Sequence, residues 1–186
     1  MAWRNQIANL LSGFLGALIG LFGLFYVQRR AQLEARRGAG RAVLAEMFTN
    51  ADRALSAMSS LVLHEFTDFA WRQQLPLVAH LLNWEDLKTL VNTYDSAART
   101  FENAREIIDQ REKETIRGEL TGKQDFGRVR SWFGEVTQEL IGAMRILQDA
   151  VLDGKESRQL DSDIRKLEAT LNSSSNPTNS SPQGIR

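Results

Sequence analysis

The chain has 186 residues, 23 basic and 23 acidic side chains, two histidines and no cysteine. That excludes a disulfide framework, a thiolate nucleophile and any Cys-based zinc or iron–sulfur site. A hydrophobic share of 42% excludes disorder throughout, and the length suits one modest domain with appendages.

The N-terminus carries the strongest pattern. No charged residue occurs between Asn5 and Gln28, and residues 7–27 hold only two polar side chains, Asn9 and Ser12. A helix needs about 20 such residues to cross a hydrocarbon core. Trp3 and Tyr26 stand at the two ends, where amphipathic rings prefer the headgroup level. This predicts a single transmembrane anchor over residues 1–28. The run is longer than the apolar part of a signal peptide, and it ends on Gln28-Arg29-Arg30 where cleavage would want small residues. The expected anchor is therefore uncleaved.

Within it, Gly13, Gly16, Gly20 and Gly23 recur at three, four and three, and Asn9 and Gln6 continue the stripe backwards. Small residues on one face let helices approach closely, and amides bond across such an interface. Gln6, Asn9, Gly13, Gly16, Gly20 and Gly23 are thus the expected helix-packing face, for a homo-oligomer or a partner membrane helix.

A basic segment over 29–41 comes next, with Arg29, Arg30, Arg36, Arg37 and Arg41 against Glu34 alone. Only Arg4 precedes the apolar run, so the positive-inside rule places the C-terminal side in the cytoplasm. A bacterial inner membrane is the expected location, although a mitochondrial protein facing the matrix would show the same bias. The arginines are expected to set topology and to meet the lipid bilayer surface. Gly38 and Gly40 weaken a helix and suggest a hinge.

Beyond Arg41 the pattern is helical. Leu44, Met47, Phe48, Ala51, Leu55, Met58 and Val62 predict a helix over 41–64. An apolar unit over 71–82 is interrupted by Pro76, which favours a kinked or divided short helix. Asn83 before Trp84-Glu85-Asp86 reads as an N-cap, opening a helix over 84–113. Its charged face, with Arg99, Glu102, Glu106, Asp109 and Lys113, reads as solvated. Gly118, Gly122 and Gly127 break the pattern, and Val129 to Val151 predict a helix over 128–152. Leu160, Ile164, Leu167 and Leu171 make a thin coiled-coil-like seam over 154–171, and the Ser/Asn/Pro-rich stretch 172–186 reads as a disordered tail.

The expected fold is therefore all-α: an N-terminal transmembrane helix, a cytoplasmic bundle of about four helices over 42–153, and a disordered tail. Trp71, Trp84, Tyr94, Phe101, Trp132 and Phe133 are its core candidates.

No chemistry is legible. The two histidine sites, His64-Glu65 and His80, match no metal motif. Gly118-x-x-x-Gly122-Lys123 falls short of a P-loop, Gly38-x-Gly40 lacks the third glycine of a dinucleotide loop, and Asp125-Phe126-Gly127 lacks every other kinase element. No enzyme, cofactor, metal, small-molecule substrate or nucleic-acid partner is expected. Charge is unevenly placed: residues 1–41 carry +5 and the remainder −5. The expectation is a single-pass, membrane-anchored interaction or scaffold protein that binds a protein partner. Two alternatives are a membrane-linked signalling or regulatory subunit working through the glycine hinge, and a membrane-perturbing protein of the holin or toxin kind.

Overall fold

The computed structural model describes residues 2–116 and 126–175, with side chains over 13–174 except Thr115. Five helices make up the described chain: α1 (Ala2–Ser60), α2 (Phe69–Val78), α3 (Trp84–Ile116), α4 (Gly127–Val151) and α5 (Gly154–Ser175). The fold is all-helical, as the periodicity predicts. The segment with Gly118, Gly122 and Asp125 and the chain beyond 175 lie outside the described residues. Of the expected tail, residues 172–175 are helical and close α5.

The N-terminal expectation is corrected. Among the described residues, no helix is long and apolar enough to cross a membrane. The transmembrane anchor over 1–28 is therefore not supported, nor are the single-pass topology and inner-membrane location inferred from it. The apolar run is not a helix of its own. It is one part of the 59-residue α1, which continues through the arginines to Ser60.

The expected break at Gly38 and Gly40 is also absent, because α1 is helical throughout. The two glycines have different surroundings. A Cβ on Gly38 would meet nothing within 4 Å, whereas one on Gly40 would run into the Val151 side chain at the end of α4. Gly40 is thus the close-approach point of α1 and α4. Gly38→Ala should raise stability by up to about 1 kcal/mol through helix propensity. Gly40→Ala should lower it by about 1–3 kcal/mol through overpacking against a stiff β-branched neighbour. Thermal melts of the two single variants check the opposite signs.

From residue 39 onward α1 is a bundle helix. Of the expected stripe, Leu44, Met47, Ala51, Leu55 and Met58 are buried, joined by Val43 and Ala54, whereas Phe48 is partly buried and Val62, beyond the end of the helix, is 53% exposed. Helix α4 is the centre of the bundle and packs on α1, α3 and α5. It buries Val129, Phe133, Val136, Leu140, Met144, Leu147 and Val151. The seam of α5 is real: Ile164, Leu167 and Leu171 are buried. Gln148 of α4 donates to the Ser157 carbonyl and hydroxyl (3.2 and 2.7 Å) and to Asp161 Oδ1 (2.8 Å), which joins the two helices. Asp153 Oδ1 accepts from the backbone N–H groups of Lys155 and Glu156, both at 3.1 Å, and so caps α5. Those backbone bonds hold its carboxyl below the usual range.

Four of the six aromatic core candidates are buried: Trp71, Tyr94, Phe101 and Phe133. They form a chain of rings across the bundle. Trp71 stacks on Tyr94 at 4.5 Å, Phe66 bridges Tyr94 to Phe101, and Phe101 meets Phe133 edge-on at 5.0 Å. Trp132 is half-buried beneath Arg128. Trp84 is 71% exposed, a correction with a local cause: it is the first residue of α3, ahead of the buried stripe. The predicted cap is present. Asn83 Oδ1 accepts from the Asp86 N–H at 2.9 Å, and its amide donates back to Asp86 Oδ2 at 2.7 Å.

Candidate interaction surface

Helix α1 does two jobs. Residues 39–60 belong to the bundle, and no residue over 13–38 is buried. At 1.5 Å per residue that stretch is an arm of about 39 Å standing clear of the bundle. Its outer part is apolar on all sides: Phe14 is 64% exposed, Ile19 72% and Phe22 71%, with Leu15, Leu21, Leu24 and Phe25 similar. Gly13, Gly16, Gly20 and Gly23 lie on one stripe of this arm, each with open space where a Cβ would stand. Phe14, Leu18, Leu21, Phe22 and Phe25 lie on the opposite side by helical register. The side chains of Gln6 and Asn9, the expected continuation of the glycine stripe, lie outside the described residues.

The five arginines do not act as one group. Arg41 is held in the bundle, donating through Nε (3.2 Å) and Nη2 (2.8 Å) to Glu156 Oε2 of α5. Arg36 is half-buried, and Arg29, Arg30 and Arg37 are exposed along the arm. Arg37 and Glu34 make only a long contact of 3.9 Å. Tyr26, Arg29, Arg30, Leu33, Glu34 and Arg37 share one face of the arm.

A second feature has no glycine to announce it. Helix α1 ends at Ser60, not at 64, because Leu61 adopts a left-handed conformation (φ 57°). Glycine usually marks this position, so its absence hides the stop. The chain then runs back along α1, and three polar side chains spaced four and three apart hold it. Arg53 Nη1 donates to the Glu65 carbonyl (2.6 Å). Buried Asn50 donates to the Thr67 carbonyl (2.6 Å) and accepts from the Thr67 N–H (3.1 Å). The Glu46 carboxylate accepts from the N–H groups of Ala70 (2.8 Å) and Trp71 (3.0 Å), and from the Tyr94 hydroxyl (3.1 Å).

Glu46 thereby supplies the cap of α2 from another helix. The local cap position, Asp68, makes no capping bond and pairs with Arg72 instead. A carboxylate suits the positive end of a helix. Burial, and then the adjacent Glu46 charge, hold the Tyr94 hydroxyl protonated well above the ordinary phenol range. In the sequence Glu46, Asn50 and Arg53 show only as polar residues at helical spacing beside the apolar stripe, a pattern a solvated face shares.

Between this returning strap and α3 lies an open groove of about 500 Å³. Leu63, Phe66 and Phe101 form its apolar floor, and Glu102, Arg105, Glu106 and Asp109 of α3 form its wall. His64 and Glu65 complete the rim, and Arg105 reaches Glu65 across it at 3.7 Å. The charges expected on the solvated face of α3 are exposed; Glu102, Glu106 and Asp109 border the groove, and Arg99 and Lys113 lie outside it. His80 is not among the groove residues. Among the described residues no cluster of three or more metal-ligating side chains occurs.

No protein-family profile, curated protein or solved structure matches the chain. The functional reading therefore rests on the surfaces themselves.

Proposed function

We propose that this chain is an interaction or scaffold protein that assembles through its helical arm, with a second copy as the partner. The exposure of Phe14, Ile19, Phe22 and their neighbours on every side of a projecting helix carries the reading. A contiguous apolar surface of this kind marks an interaction site. The open glycine stripe offers the closest approach for a neighbouring helix, and close backbone approach maximises dispersion contact.

The arm is outside the bundle core, so its substitution tests association without testing folding. Sedimentation velocity on the purified chain in 1 M salt, where contacts between surface charges are screened, should show an oligomer. Gly16→Ile with Gly20→Ile should shift it towards monomer while the helical circular dichroism stays unchanged. A monomeric unmodified chain would overturn the reading, as would an oligomer indifferent to both substitutions. Capture of a monomeric chain by phospholipid vesicles would overturn it equally.

A further inference from the structure

We infer that the groove between the strap and α3 is a docking site for the basic face of a second copy's arm, in head-to-tail order. The inference does not depend on the apolar part of the arm. The two surfaces lie at opposite ends of the bundle. The basic face ends where α1 enters the bundle near residue 39, and the groove is built on the strap beyond the far end of α1 and on the distal part of α3.

Their charge patterns are complementary and share a register. Along the arm, Arg37, Glu34 and Arg30 read plus, minus, plus at steps of three and four. Along α3, Glu102, Arg105 and Asp109 read minus, plus, minus at the same steps, in the opposite chain direction. Both triplets span seven helical steps, about 10 Å of helix. Antiparallel docking sets Arg37 against Glu102, Glu34 against Arg105 and Arg30 against Asp109. Leu33, 45% exposed in the middle of the basic face, then meets the apolar floor at Leu63 and Phe66.

The internal pairs that must loosen are long and solvent-exposed: Glu34 with Arg37 at 3.9 Å, and Glu65 with Arg105 at 3.7 Å. Pairs of that kind hold weakly and exchange partners readily. The groove wall and rim carry four acids against one arginine, and the basic face carries three arginines against one acid. Docking therefore relieves like-charge excess on both sides. A contact between unlike surfaces propagates into a ring or an open chain of copies.

The test uses the full chain in a nonionic detergent that covers the apolar arm and suppresses association through it. Sedimentation velocity should show self-association at low salt that weakens about tenfold or more towards 1 M salt, where the Debye length falls to about 3 Å. Arg30→Glu with Arg37→Glu should abolish it, and so should Glu102→Arg with Asp109→Arg. Mixing these two variants should restore association with the two chains alternating, since the intact face of one meets the intact groove of the other and the reversed face meets the reversed groove. A chain carrying all four changes should associate again. Salt-independent association, no association in the unmodified chain, or failure of the fourfold variant to recover would each overturn the inference. Arg30→Gln with Arg37→Gln gives a milder variant, expected to weaken association partially. Because arm association is insensitive to these charges, loss of one mode leaves the other readable.

Discussion

Phe133→Ala should be the most damaging single truncation in the molecule, lowering stability by about 3–5 kcal/mol. Phe133 is fully buried on α4, the helix that touches α1, α3 and α5, and it packs edge-on against Phe101. Its loss leaves a void at the centre of the ring chain that joins α3 to α4, where neighbours fixed by three helices cannot collapse inward. At about 2–4 °C per kcal/mol for a chain of this size, the melting midpoint should fall by roughly 10 °C. Trp84→Ala is the matched comparison. Trp84 is a larger aromatic, yet it is mostly exposed at the start of α3 and should shift the midpoint little. Equal effects from the two variants would refute the packing described.

Glu46→Ala should come second, at about 2–4 kcal/mol. The carboxylate satisfies two backbone donors at the start of α2 and the buried Tyr94 hydroxyl. Removing it leaves all three without their acceptor. Tyr94→Phe removes only one of these bonds and should cost about 1 kcal/mol. The difference separates the helix cap from the phenol contact. Urea melts of the two variants measure it.

The same contact sets a pH dependence. Tyr94 holds its proton in the folded chain more tightly than an ordinary phenol, which titrates near pH 10. Above that pH the unfolded chain releases a proton that the folded chain keeps, so stability falls as pH climbs past about 10. Below it the contribution is fully present. In a Tyr26→Phe background Tyr94 is the only tyrosine, since the chain has two. Phenolate absorbance should then appear only together with loss of helical circular dichroism. Phenolate in a folded chain near pH 10 would contradict the Glu46–Tyr94 geometry.

The helices are legible wherever apolar residues repeat at three and four and an ordinary stop or start signal is present. The Asn83 cap and the stripes of α3 and α4 agree with the structure within a few residues. The end of α1 is not legible, because Leu61 turns the chain in a conformation normally left to glycine. Nor is the continuity of α1 at Gly38 and Gly40. Helix propensity counts glycine as a loss, but at Gly40 the missing side chain is what lets α4 approach, with Val151 in the space. Propensity is local, and that approach is not.

The candidate surfaces divide in the same way. By itself the sequence determined that the chain is all-helical, that a long uncharged run precedes a cluster of arginines, and that acidic residues dominate the remainder, because composition and period are properties of the chain alone. It did not determine what the apolar run is part of. Reading the run as a membrane-spanning unit is overturned, because among the described residues no helix is long and apolar enough to cross a membrane, and the run is part of one helix that continues through the arginines into the bundle. Only the tertiary structure decided that Glu46, Asn50 and Arg53 strap the returning chain to α1. It also decided that the strap and the charged side of α3 enclose a groove. Those groups are 12 to 48 residues apart in the chain, and local periodicity carries no information about which distant segments a helix face will meet.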